Sequence, residues 1–70
     1  MKSLQEKVGY RIRVLRIAAG LPQGTLALMT GITKSYMSEI EAGKKNLTLR
    51  SLERIADALG VSVYELFRGL

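Results

Sequence analysis

Thr33, Lys34, Ser35, Ser38 and Glu39 stand close together in the sequence, with Gln23 upstream and Lys44, Lys45, Asn46 and Arg50 downstream. An ammonium group only donates hydrogen bonds, a carboxylate only accepts them, and hydroxyls and amides do both. Such a set recognises a polar surface and does not make or break bonds. The chain has no His and no Cys, which removes imidazole acid–base chemistry, thiol nucleophiles and Cys/His zinc sites. It has no glycine loop of the kind that cradles phosphates, and it is too short to enclose a substrate pocket. No metal, cofactor or small-molecule ligand is expected, and an enzyme is the weakest reading.

Eleven basic residues against six acidic give a net charge of +5. This suits a polyanionic partner, although ribosomal, membrane-surface and ordinary soluble proteins are also often basic. No apolar run approaches the ~20 residues of a membrane span. The opening MKSLQEK lacks the apolar stretch of a secretory signal. A cytoplasmic location is expected.

Seventy residues suffice for one domain, expected over 1–70 without a linker or a sensing module. A chain of this size buries only ~60% of its unfolded surface. Without disulfides or metals, association with another molecule is the remaining source of stability.

Five helices must position the polar set. Ser3 and Glu6 form a capping-box pattern opening the first. Val8, Ile12, Leu15 and Ala19 then make one apolar stripe, and Tyr10, Val14 and Ile17 a second. Gly20 closes this helix, and Gly9 inside it costs ~1 kcal/mol relative to Ala, which suggests a close contact. Pro22 suits entry to a second helix, from about Gln23 to Thr30, stopped by Gly31. Thr33 can cap a third, with Tyr36, Met37 and Ile40 directed inward and an end before Gly43. Thr48 opens a fourth, with Leu47 and Leu52 as its staple and Leu49, Leu52, Ile55, Ala56 and Leu59 as its core stripe. Ser62 and Glu65 repeat the capping-box pattern for a short fifth, with Val61 and Leu66 as its staple. No segment alternates with period two, so the class is all-α.

Residues 23–42, QGTLALMTGITKSYMSEIEA, have helix-turn-helix spacing: eight helical residues, a turn with Gly and a helix of similar length. Ala27 allows a close crossing, Gly31 allows positive φ in the turn, and Ile32, Met37 and Ile40 fill the wedge.

On these residues, with RIRVLR, GLPQ, KKNLTLRSLE and ADALGVSVYELF around them, the chain resembles the Cro/phage-repressor-like (XRE) family. The likeness runs from about residue 8 to 67. It implies a compact five-helix, lambda-repressor-like DNA-binding domain, whose second helix crosses the phosphate backbone while the third enters the major groove. By resemblance, Thr33, Lys34, Ser35, Ser38 and Glu39 face base edges. Gln23, Lys44, Lys45 and Asn46 grip the backbone, joined by Arg50 at the start of the fourth helix. Arg16 and Glu41 match a structural ion pair.

The residue chemistry agrees with those roles. Lys34 can donate to guanine O6 and N7, and Glu39 can accept from cytosine N4, or instead pair with a lysine. The bland reading of Lys44 and Lys45 is a solvated loop. Arg11, Arg13, Arg54 and Arg68 are read as surface charges, and Tyr36 and Met37 as core. Pro22-Gln23-Gly24-Thr25 lacks the family's usual capping box, Leu28 and Met29 stand where polar residues are common, and Leu47 replaces a common Pro. KKNLTLRSLE and SYMSEIE are similar to the controller proteins of restriction–modification systems, short dimeric members that bind palindromic operators.

One recognition helix reads too few base pairs to find a genomic site, whereas a twofold dimer reads half-sites ~34 Å apart. Val63, Tyr64, Phe67 and Leu70 exceed what a short terminal helix needs for docking, and are the expected homodimer interface, unless all fold back on the core. The expected function is a sequence-specific regulator of transcription on double-stranded DNA, with RNA polymerase a candidate further partner. The alternatives are an antitoxin or phage Cro-like autorepressor and, from another class, a helical protein-interaction module that reads no DNA.

Overall fold

The computed structural model describes residues 2–69 and holds five helices: α1 (Leu4–Ala18), α2 (Gln23–Thr30), α3 (Lys34–Glu41), α4 (Leu49–Leu59) and α5 (Val63–Phe67). No strand occurs among the described residues. Every helix contributes to one core. Ile12 of α1, Leu26 of α2, Met37 and Ile40 of α3, Ile55 of α4 and Leu66 of α5 are all fully buried. Each such side chain contributes about 1.5–3 kcal/mol on leaving water. α1 packs on α3, α4 and α5, while α2 packs on α3 and α4.

Three of the five helices begin with a side-chain cap. Ser3 and Glu6 cap α1 reciprocally. The hydroxyls of Thr33 and Thr48 accept from the backbone N–H groups of Tyr36 and Ser51 at 3.1 and 3.0 Å. Gly31 ends α2 at φ 73°, and the Ile32 N–H donates back to the Ala27 carbonyl at 3.1 Å, so the turn is closed by backbone alone. Pro22 gives α2 no side-chain cap, yet the Thr25 and Leu26 N–H groups both donate to its carbonyl at 3.0 and 3.1 Å.

Five expectations need correcting. Tyr36 does not point into the core; it is 41% exposed, because it sits at the edge of the arc that Met37 and Ile40 occupy. Leu49 is 84% exposed, since it lies at the edge of the arc that Leu52, Ile55 and Leu59 occupy. Ala19, expected in the first stripe of α1, is exposed beyond the end of that helix. Ser62 starts α5 without a side-chain hydrogen bond. Its expected box partner is used elsewhere: the Arg11 guanidinium donates to the Glu65 carbonyl at 2.9 Å and to its carboxylate at 3.3 Å. Arg11 is therefore a tie between α1 and α5 and no free surface charge. The second apolar stripe of α1, Tyr10, Val14 and Ile17, faces solvent, as do Leu28 and Met29 of α2.

Candidate nucleic-acid interface

α3 divides its residues cleanly. Met37, Ile40 and Glu41 are buried, while Lys34, Ser35 and Ser38 are exposed and Glu39 is partly so; Thr33, at its N-cap, is exposed too. A helix of eight residues held from beneath by two fully buried apolar side chains presents the rest as a stiff ridge.

Two backbone contacts set the height of that ridge. Gly9 of α1 lies against the carbonyl groups of Ile40 and Glu41, with no room for a Cβ. Gly43, at φ 76°, is pressed against the Cα of Glu6, and its carbonyl accepts from the Gln5 amide at 2.7 Å. Where α3 ends, and so where the Lys44–Lys45 segment begins, is thus decided by α1.

Beneath the ridge lies a charged anchor. Arg16 Nε and Nη2 donate to the two Glu41 carboxylate oxygens at 2.7 and 3.1 Å, and Nη1 donates to the Leu21 carbonyl at 2.7 Å. The side chains are 12% and 4% exposed. Gln23 Nε2 adds a further donor to Glu41 at 3.2 Å. A desolvated pair this well hydrogen-bonded costs little to keep and much to break. It locks α1, the α1–α2 turn, the first residue of α2 and the last of α3 to one another.

The remaining polar residues flank the ridge. On one side, Gln23 and Ser38 line a polar recess with Arg13, Arg16, Glu41 and Ala42, and the methylenes of Lys34 lie over Gly24. On the other, Lys45 Nζ is 3.5 Å from the Glu39 carboxylate and 5.9 Å from the centre of the Tyr36 ring. The Tyr36 hydroxyl donates to the Asn46 carbonyl at 3.4 Å. Lys44 and Arg50 are exposed. Glu39 thus has the lysine partner foreseen for it, and that partner is Lys45.

Two residues of this surface escaped the reading from sequence. Arg13 borders the recess with Gln23 and Ser38; the signal was its place one turn before Arg16, on the same flank of α1. Tyr36 is exposed, with Lys45 over its ring and its hydroxyl on Asn46, where period alone suggested core. Val63, Tyr64 and Phe67, expected at a dimer interface, are 38, 74 and 37% exposed, and Leu70 lies outside the described residues. Phe67 lines a shallow groove with Leu4, Val8, Leu47 and Leu52.

The model of the helix-turn-helix family HTH_3 matches residues 12–66, which take in α2, α3 and most of the core. The chain belongs to this family. HTH_3 proteins are DNA-binding transcriptional regulators and not enzymes. Among its relatives, control protein C.MunI of Mycoplasma sp is 34% identical over 68 residues, 96% of this chain and 92% of that protein. The Neisseria hypothetical transcription factor of Neisseria meningitidis serogroup B is 34% identical over 65 residues, 93% of this chain. This HTH_3 chain spans only 61% of that protein's length. The crystal structure of the restriction-modification controller protein C.AhdI from Aeromonas hydrophila superposes with a TM-score of 0.88 at 41% identity, covering 90% of this chain and 96% of that one.

Proposed function

We propose that the chain, as a single domain over 1–70, binds a palindromic operator in double-stranded DNA as a homodimer and regulates transcription from the adjoining promoter. One observation carries this: α3 shows solvent an almost wholly polar face, bracketed by Gln23 on one side and by Lys45 and Asn46 on the other. In this reading Thr33, Lys34, Ser35, Ser38 and Glu39 meet base edges in the major groove. Gln23, Lys44, Lys45, Asn46 and Arg50 hold phosphates on both sides of it, and Arg16 with Glu41 keeps the two helices in register.

Val63, Tyr64 and Phe67 form the twofold interface. Their exposure on a five-residue helix, next to the apolar groove at Phe67, supports that role. Similarity to C.MunI and C.AhdI along nearly their whole lengths supports a controller of a restriction–modification system, acting in the cytoplasm with RNA polymerase as the further partner. No helix among the described residues is long and apolar enough to cross a membrane.

Selection of random duplexes by the purified chain tests this. The expected product is a palindromic consensus with half-sites about one helical turn apart, ~34 Å. No enrichment would overturn the proposal and leave a protein-interaction module. An asymmetric single half-site would overturn the dimer alone.

A further inference from the structure

We propose that Glu39 and Lys45 form an exchange pair which makes one phosphate contact of this protein conditional on base sequence. The inference rests on the DNA-binding reading above.

Lys45 has an anion within reach before any DNA arrives: its ammonium is 3.5 Å from the Glu39 carboxylate and lies over the Tyr36 ring at 5.9 Å. The Tyr36 hydroxyl holds the neighbouring Asn46 carbonyl at 3.4 Å. The segment after α3 is therefore laid against the solvent face of the helix. Both charged side chains are nearly half exposed, 43% and 41%, so each can turn outward without opening the core. Glu41, the other carboxylate of α3, is buried on Arg16. Glu39 is thus the acid of α3 that faces the DNA side, where an unpaired carboxylate is repelled by phosphate.

In this arrangement the phosphate that Lys45 would hold lies outside the closed pair, so the ammonium serves either Glu39 or the phosphate. On a duplex with no base donor opposite Glu39, moving Lys45 to a phosphate strands the carboxylate in a negative field. The pair stays closed, and Lys45 releases no counterion. Where a cytosine stands opposite Glu39, its N4 amino group can donate to the carboxylate. Lys45 is then free for the backbone. A contact that carries no sequence information becomes one that does. Half-exposed ion pairs shift equilibria by up to about fivefold, which sets the size of the effect.

The test uses the full chain, its selected operator and a scrambled duplex, with binding measured by fluorescence anisotropy over a salt series. Glu39→Gln should bind the scrambled duplex about three- to fivefold more tightly. Its log–log salt slope there should steepen by about 0.9, one further phosphate neutralised, and preference at a single base pair should fall. Lys45→Met should flatten the slope on the operator by about 0.9 and leave the slope on the scrambled duplex unchanged, while weakening binding there because Glu39 loses its partner. In the Glu39→Gln background it should flatten both. Both side chains are nearly half exposed and neither is in the core, so thermal melts of the variants should match the parent. If Lys45→Met flattens both slopes equally in the parent background, Lys45 sits on phosphate regardless of sequence and the exchange is overturned. If it changes neither slope in any background, Lys45 holds no phosphate and the exchange falls while DNA binding stands. If the parent chain binds no duplex at all, the DNA-binding reading itself is overturned.

Discussion

Gly9 of α1 lies flat against the Ile40 carbonyl of α3, and a Cβ built on it would overlap that oxygen and stand 3.1 Å from the carbonyl oxygen of Glu41. Both obstructing atoms are backbone, so neither can swing away as a side chain could. Replacing Gly9 by Ala gains ~1 kcal/mol of helix propensity but forces α1 off α3, and overpacking typically costs 1–3 kcal/mol or more. Gly9→Ala should lower the melting temperature by roughly 10 °C if the net loss nears 2 kcal/mol. A rise in calorimetric melting temperature would show that the crossing is looser than described. The same variant should weaken operator binding beyond its effect on stability, because α3 is displaced.

Breaking the anchor under α3 has a larger expected cost. Arg16→Ala leaves Glu41 with only the Gln23 amide as a side-chain donor, and stranding a buried charge costs about 3–5 kcal/mol. For a chain of this length that is enough to unfold much of the population at 37 °C. Arg16→Met combined with Glu41→Met should recover most of the loss, since no charge is then left unpaired. Urea denaturation of the three proteins separates the cases. Equal stability of parent and Arg16→Ala would remove the anchor from the account.

Lys34 and Lys44 should fail in different ways. Lys34, its methylenes over Gly24, has a base-reading role in the proposed function, so Lys34→Ala should cost ~1–3 kcal/mol at one base position. Lys44→Ala should weaken operator and scrambled DNA alike and reduce the salt slope by about 0.9. Competition titrations at two salt concentrations distinguish them. Uniform weakening by both would reassign Lys34 to the backbone.

The proposed twofold interface can be tested on α5 and on the tie that holds it. Phe67→Asp puts a carboxylate on the exposed face and should make the chain monomeric in sedimentation equilibrium at micromolar concentration. Arg11→Met removes the two hydrogen bonds from α1 to Glu65. With only Leu66 fully buried, α5 should then dock in a less defined orientation and the dimer weaken, about tenfold, with the rest of the fold intact. A monomeric parent, with or without operator, would remove α5 from this role.

Much of the fold was legible because its signals are local. Thr33 and Thr48 cap helices through their own hydroxyls, and Gly31 ends α2 through its own φ; each acts on a neighbour three to five residues away. Of the buried set, Ile12, Met37, Ile40 and Ile55 follow from helical period, and Leu66 from its staple pattern with Val61. Tyr36 and Leu49 were misread for one shared reason. Period places a side chain on an arc, but whether the edge of that arc is covered depends on how far the opposing helix extends. Likewise Ser62 and Glu65 carry a capping pattern, yet Arg11 of α1 takes the carboxylate.

The helix-turn-helix was therefore a property of the sequence by itself: Ala27, Gly31, Met37 and Ile40 specify it through size, conformational freedom and spacing. Tertiary structure decided which polar residues share a surface. Arg11 and Glu65, and Arg13 and Gln23, are brought together only when separate helices have packed. The reason is range. Hydrogen-bonded caps and apolar period act within a turn or two of chain, whereas the pairing of charges depends on where separate helices come to rest.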